Sequence, residues 1–330
     1  MAGRCLCKKI PDSALHRLLS MFLSFVIPAY NAADYIRSCV KSIFALDLHG
    51  RDFEVIVVND GSTDNTGEVL EECRREYAFT VVSQDNMGPG VARNVGLSYT
   101  SGKYVAFVDA DDELIGTSDI SSLISLMEGD APDIIGVNLR QRDFKGKEAP
   151  YRRYVPIYNK CYAPAYKFMT GRNIFPCIPA YLFKKEFLNR KGLELCAKKF
   201  HEDEEFTPRA FALADSFVAL DIDWYLRILR RESITTTTNP EKQKRNIRDM
   251  LLIVERMHDF AMGSPHLKIA MSCKLDYMVV DILLLLHRQG HSKEFKREVL
   301  AELRRMNRFP LRWRNEIKYI AFNLWTRIFL

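Results

Sequence analysis

Short apolar runs rich in Val, Ile and Phe recur at Phe22–Ile27, Phe53–Val58, Phe79–Val82 and Tyr104–Val108, each bounded by turn residues. That is the pattern of strands buried on both faces. Between the runs the period changes to that of a helix. Ile36, Val40, Ile43 and Phe44 fill the first interval, Val69, Leu70, Cys73 and Tyr77 the second, and Val91, Val95 and Tyr99 the third. Ser62, Thr63 and Asp64 are placed to cap the second helix, and Gly88-Pro89-Gly90 leads into the third. A strand and helix repeating every 25–30 residues or so, roughly the length of one βαβ unit, predicts an α/β fold whose mixed, mainly parallel sheet is flanked by helices. Right-handed crossovers then set the C-terminal ends of the strands along one edge, where open α/β sheets bind ligands.

Later in the chain Ile120, Leu123, Ile124 and Met127 form another helical stripe, and Asp133 to Val137 reads as a short strand. Residues 140–175 are rich in Tyr, Arg, Lys and Pro and read as a loop suited to an acceptor. Asn239-Pro240 marks a domain edge. Beyond it, helices are predicted over 241–262, with Leu251, Val254, Met257 and His258 on one face, and over 268–289, with Leu275, Met278, Val279, Ile282 and Leu286. No stretch reaches the length of apolar sequence that crosses a membrane. Residues 1–20 are basic and lack the apolar core of a signal peptide. The first strand begins just after Met21, which makes Met21 a native start and 1–20 a leader; a short disordered or helical extension is the alternative.

Composition narrows the classes. With 330 residues, 47% of them apolar and 27% charged, the chain has enough material for a core and is not disordered. The net charge of +6 is concentrated: His287 to Leu330 carries 11 basic and 4 acidic side chains. In residues 293–330, Arg304, Arg305, Arg308, Arg312, Arg314 and Lys318 interleave with Trp313, Tyr319, Phe322, Trp325 and Phe329. That pattern suggests an interfacial segment on an anionic membrane surface, or a helix docked on the core with a solvated basic face. No nucleic-acid module accompanies it. The eight Cys are scattered and show no zinc spacing, as expected of reduced thiols in the cytoplasm.

The chemistry gathers at the strand ends: Pro28-Ala29-Tyr30-Asn31, Asn59-Asp60-Gly61-Ser62 and Asp109-Ala110-Asp111-Asp112. GxGxxG after the first strand and a Walker A loop are both absent, which argues against a nicotinamide dehydrogenase and a P-loop NTPase. Three carboxylates within four residues repel unless a cation compensates them. Mg²⁺ or Mn²⁺ is the economical partner, since such ions take one or two carboxylates together with substrate phosphates. Asp60 reads either as a hydrogen-bond acceptor for a base or ribose or as part of an ordinary turn. Arg93, at the start of the third helix, would meet a phosphate or support the acidic cluster. FHEDEEF (200–206) frames four acids between two Phe and is the one strong source of a general base, the plain alternative being an acidic helix start.

SFVIPAYN (24–31), VIVVNDGSTDNT (55–66), NMGPGVARNVGL (86–97) and GKYVAFVDADD (102–112) together resemble the nucleotide-binding half of family 2 glycosyltransferases of the bacterial cell-surface type, which adopt the GT-A fold. The likeness is strong over 21–115 and weaker to 238. It implies a GT-A catalytic domain over 21–238, with a nucleotide-sugar half (21–115) and an acceptor half (116–238), and a helical C-terminal region over 239–330. It implies inverting transfer of a sugar from a nucleoside diphosphate, typically UDP, to the hydroxyl of a glycan or lipid-linked acceptor. Pro28, Tyr30 and Asn31 would border the nucleoside, Asp60 would bind the base edge, and Arg93 would lie near the phosphates. Asp109 and Asp111 form the family's DxD, with Asp111 the direct ligand of Mn²⁺ or Mg²⁺ and Asp109 on the ribose or the metal; Asp112 is a less certain third member. Asp203 would be the base, with Glu202 the alternative. Arg230, in a stretch with Trp224 and Tyr225 that follows the base motif, would face phosphate or acceptor. The expected place of action is the cytoplasm, on the inner face of the cell membrane if the tail binds it. A non-catalytic protein that kept the nucleotide-sugar platform is the competing class.

Overall fold

The computed structural model describes residues 21–49, 52–116, 120–152, 157–197, 201–230, 239–311 and 326. The first half alternates as the sequence predicts: β1 (Leu23–Ala29), α1 (Ile36–Phe44), β2 (Phe53–Asp60), α2 (Thr66–Cys73), β3 (Thr80–Gln84), α3 (Pro89–Tyr99) and β4 (Tyr104–Phe107). β1 pairs in parallel with β2 and with β4, and β2 with β3. β1 and β4 are buried throughout or nearly so because helices cover both faces of the sheet.

The second half adds β5 (Glu113–Leu114), α4 (Ile120–Glu128), β6 (Ile134–Arg142), β7 (Glu148–Arg152), β8 (Cys161–Tyr162), α5 (Tyr166–Met169), a 3₁₀ turn (Ile178–Ala180), β9 (Tyr181–Lys184), α6 (Lys185–Lys191), α7 (Glu202–Leu213) and β10 (Phe217–Ile228). The sheet runs β3-β2-β1-β4-β9-β6-β10-β5. β9 lies antiparallel between β4 and β6, whereas β6 and β10 are parallel. The sheet is therefore parallel in the first half and mixed in the second. β6 runs past the short strand predicted at 133–137, and β7 and β8 occupy part of the stretch read as loop, because β6 and β10 offer them free edges.

One helical stripe needs correction. In α3, Val91 and Val95 are only half-buried and Tyr99 is exposed, whereas Gly90, Ala92, Arg93 and Gly96 are buried. The helix lies close on the sheet through its small residues: a Cβ at Gly96 would sit 2.3 Å from Val26 Cγ1 and 3.3 Å from Val58 Cγ2. The apolar pattern pointed to a different face because glycine carries no hydrophobic signal.

Three helices follow: α8 (Pro240–Met262), α9 (Pro265–Arg288) and α10 (Lys293–Arg305). Asn239 caps α8, its Oδ1 accepting from the N–H of Glu241 at 3.0 Å and Lys242 at 3.1 Å. The buried faces of α8 and α9 join the same apolar core as the sheet. Among the described residues no helix is long and apolar enough to cross a membrane. The described part of the basic tail is docked: Arg305 pairs with Glu255 at 2.6 Å, and Arg308 Nε donates to His258 Nδ1 at 3.0 Å. The basic and aromatic positions of 312–325 and the leader 1–20 lie outside the described residues.

Gly96→Val should cost about 1–3 kcal/mol through overpacking against Val26 and Val58. Urea unfolding would show a lower midpoint at unchanged slope; an unchanged midpoint would contradict the close approach of α3.

Candidate functional site

The ends of β1 and β2 are tied together by side chains that replace the lost ladder. Asn31 takes the left-handed conformation, at φ 50°, that Asn tolerates better than most residues. Its N–H donates to Ser62 Oγ at 3.0 Å, and its Oδ1 accepts from the Thr63 N–H at 2.8 Å. Ser62 and Thr63 therefore brace the rim, while Asp64 serves the start of α2 by accepting from the Thr66 N–H at 3.0 Å. Pro28 is half-buried and Tyr30 exposed beside it.

Asp60 is buried. Its Oδ1 accepts from Gln84 Nε2 at 2.7 Å and the Met87 N–H at 2.9 Å, and its Oδ2 from the Gly88 N–H at 2.9 Å. The carboxylate thus folds the loop that leads into α3. Gly61 permits this at φ 68°, with a Cβ there falling 2.7 Å from the Asn86 nitrogen.

The centre of the rim is a double ion pair around a buried guanidinium. Arg93 Nη1 donates to Glu202 Oε1 at 2.5 Å and Nη2 to Asp109 Oδ1 at 2.6 Å. Burial would lower the guanidinium's pKa, but the two carboxylates more than offset this and hold it protonated. Next to it, Asn94 locks the segment before α7: Nδ2 donates to Leu195 O at 2.8 Å and Oδ1 accepts from the Leu195 N–H at 2.9 Å.

The acids after β4 diverge. Asp112 is buried and turned inward, its Oδ2 accepting from the Tyr225 hydroxyl at 2.7 Å and its Oδ1 from the Ile228 N–H at 2.8 Å. Burial, then the charges of Asp109 and Asp111, push its carboxyl up. Asp111 lies at the surface, where Arg230 Nε donates to its Oδ2 at 3.3 Å. That guanidinium stacks on the Tyr35 ring, 3.3 Å from its centroid. Burial and Asp109 raise the Asp111 pKa, and Arg230 opposes them.

Four consecutive acids open α7. Glu202 holds Arg93, Glu204 pairs with Lys274, and Glu205 pairs with Arg256 at 3.0 Å and Arg209 at 3.3 Å. Asp203 alone of the four has no cationic side chain against it among the described residues, and its Oδ1 accepts from the Glu204 N–H at 2.9 Å. Burial first, then Glu202 and Glu204, push its carboxyl up to about 7, with Arg93 pulling the other way.

Residues 24–191 match the family model described as glycosyl transferase family 2. The chain belongs to that family. It is 29% identical over 215 residues to a poly(ribitol-phosphate) beta-glucosyltransferase of Bacillus spizizenii, covering 64% of this chain and 33% of that protein. It is 41% identical over 109 residues to an uncharacterized glycosyltransferase, YibD, of Escherichia coli, covering 33% and 31%. The chain spans less than two thirds of the curated relatives it matches first. The structure of residues 1–349 of Staphylococcus aureus TarS in complex with UDP-GlcNAc superposes with a TM-score of 0.57 at 19% identity, over 93% of this chain and 89% of that one. The shared architecture is the GT-A fold with a helical C-terminal region.

Within this family 2 chain the structure brings Arg93, Asp109, Glu202, Asp203 and Asp111 to one rim and sends Asp112 into the core. Arg93 is placed between two carboxylates, and Asp60 ties down the loop that leads into α3. The sequence reading assigned no role to Tyr225, which accepts from the Asp109 N–H at 3.2 Å while donating to Asp112. Nor did it pair Glu202 with Arg93 or notice Lys274; the signal for Lys274 was a lone cation in the apolar stretch of the second C-terminal helix.

Opposite stability effects should separate the roles. Arg93→Met leaves the buried Glu202 uncompensated, while the part-exposed Asp109 falls back on water, and should cost about 3 kcal/mol. Asp203→Asn should do the reverse above neutral pH. The folded Asp203 pKa, about 7, lies above the ordinary value of 3.8 for an aspartate in the unfolded chain, so the native state binds more protons between them and stability falls as pH rises through that window. The Asn variant should gain about 2 kcal/mol at pH 8 and nothing near pH 4. Thermal melts at both pH values would show this; a loss at pH 8 would contradict it.

Proposed function

We propose that this chain transfers a sugar from a UDP-sugar to an acceptor hydroxyl of a cell-surface polysaccharide or glycolipid, with inversion at the anomeric carbon. One observation carries the reading. The DxD acid Asp109 and the Glu-Asp pair, 93 positions apart in sequence, are joined through Arg93, and among the described residues the pair presents one acid without a cation.

Asp203 is the proposed base. A carboxyl near neutrality takes the acceptor proton as the oxygen attacks the anomeric carbon, and the nucleoside diphosphate leaves from the opposite face. Arg93 holds Glu202 and Asp109 in place and keeps their charges from pushing Asp203 further up. Tyr30 and the loop clamped by Asp60 border the nucleoside, with Pro28 and Asn31 shaping the turn beneath it.

The rim also fits a divalent cation. Asp109 gives one oxygen to Arg93 and Asp111 one to Arg230, leaving each with a second oxygen. Among the described residues no three His, Cys, Asp or Glu side chains gather into a closed metal cage. That suits Mg²⁺ or Mn²⁺, which take one or two carboxylates and complete their shell with phosphate oxygens and water. Asp111 and Asp109 would hold the ion, which when bound neutralises the charge of the leaving diphosphate. Arg230, adjacent to Asp111, adds a fixed positive charge on the same side. The UDP-GlcNAc complex of TarS supports a uridine donor, and the polymer-modifying relatives support a glycan acceptor. An anionic membrane surface as second partner, at the inner face of the membrane, rests on the sequence of the tail.

Calorimetric titration of UDP and GDP, with and without Mn²⁺, tests the donor site. UDP should bind only with metal and should lose binding in Asp111→Ala; GDP binding instead would change the donor, and binding of neither by folded protein would refute the reading. Transfer should fall as pH drops below about 7, where Asp203 protonates. Asp203→Asn should lower turnover by about 10²–10⁴-fold with UDP binding retained.

A further inference from the structure

The start of α7 is not held by the sheet domain alone. His201, at φ 64° just before the helix, shares a hydrogen bond of 2.6 Å between its Nε2 and Asn246 Oδ1 on α8. Glu205 is almost fully buried, and Arg256 of α8 donates to its Oε1 through Nε at 3.1 Å. Glu204 pairs with Lys274 of α9, whose side chain is 3% exposed. An ammonium withdrawn that far from water persists only with a well-placed counter-charge. Three successive contacts from the C-terminal helices therefore fall on residues 201, 204 and 205, on either side of Asp203.

We propose that α8 and α9 are part of the transfer machinery, and that Lys274 is a positioning residue which anchors Glu204 and thereby sets the environment of Asp203. The proposal rests on the reading of Asp203 as base. Nothing in a sugar-nucleotide platform requires a buried lysine on a distant helix. A lysine that only filled core space would be replaced by Met or Leu with less desolvation.

The charged groups around the base make the effect directional. Asp203 is faced by Glu202 and Glu204 on its own helix, by Arg93 on α3, and by the Cys177 thiol before the 3₁₀ turn. Glu204 is in turn faced by Lys274 and by Asp281 on α9, whose carboxyl burial pushes up, with Glu204 adding to the rise and Lys274 opposing it. Of these groups Glu204 is one that raises the Asp203 pKa, and Lys274 is the cation paired with it. Removing the pair together should lower the Asp203 pKa and loosen the first turn of α7.

The test compares wild type, Lys274→Met/Glu204→Gln and Lys274→Arg as full-length chains. The double variant removes both charges at nearly constant volume, so it folds where Lys274→Met alone would strand Glu204. Two readouts are taken. The Asp203 pKa is followed by carbon NMR of the labelled carboxyl, assigned by its loss in Asp203→Asn. Turnover is followed by UDP release from UDP-N-acetylglucosamine or UDP-glucose. In the double variant the Asp203 pKa and the acid limb of kcat should both fall by about one unit. At pH 8, kcat should fall about tenfold, with UDP affinity unchanged. Lys274→Arg should restore all three. A folded double variant with an unmoved pKa overturns the proposal, and so does a loss of kcat without a pKa shift, since a merely structural defect would give that. An active Asp203→Asn protein would instead refute the base assignment, whatever the pKa did.

Discussion

The Arg93 guanidinium is buried where α3, the end of β4 and the start of α7 meet, and the charges of the rim are arranged around it. Taking a cation out of water costs several kcal/mol, which only close and well-directed carboxylates offset. Here two do so, at 2.5 and 2.6 Å, from elements of opposite halves of the domain. Helix α3 reaches that position because Gly96 lets it lie on β1 and β2, and because Gly90 leaves room for the segment before α7, where a Cβ would fall 2.3 Å from Cys196 O. Small residues set the approach, and the approach sets the ion pairs.

That arrangement sorts the acids into two kinds. Asp60, Asp112, Glu202, Glu204 and Glu205 each hold a loop or helix in place through a backbone N–H, a hydroxyl, an amide or a cation. Among the described residues, Asp109 and Asp111 each have one carboxylate oxygen on a cation, and Asp203 accepts only from the N–H of the next residue. A site that must accept a diphosphate with its cation and then a proton needs acids of the second kind. It can keep them close together only if acids of the first kind are engaged with partners of their own.

The strands and helices were legible because burial on both faces writes Val, Ile and Phe into β1, β2 and β4, and the period changes between them. The DxD and the Glu-Asp pair were legible as unusual densities of charge. The pairing of Arg93 with Glu202 was not, since a contact across more than a hundred residues leaves no periodicity behind. The buried face of α3 was misjudged because Gly and Ala carry it. Lys274 was invisible for a related reason: its meaning depends on Glu204, and the sequence shows a cation among apolar positions without showing what it meets. Asp60 shows the same limit, since NDGS looks identical whether its carboxylate faces a ligand or a loop.

The choice between Glu202 and Asp203 as base follows from what each is already doing. For Glu202 to accept a proton it would have to give up a 2.5 Å bond to a buried guanidinium, leaving that cation half-compensated at the moment of reaction. Protonating Asp203 breaks no ion pair among the described residues; it removes a buried charge and relieves repulsion from Glu202 and Glu204, which is why its carboxyl stands near neutrality. The two acids differ in sequence by one position and one methylene. What separates them is which direction the first turn of α7 points each one, and that turn is held from one side by Arg93 and from the other by the C-terminal helices. On this view the helical region that follows the GT-A domain is no passive cap: without it, the turn that distinguishes a structural acid from a reactive one loses the partners of His201 and Glu204 and one of the two on Glu205.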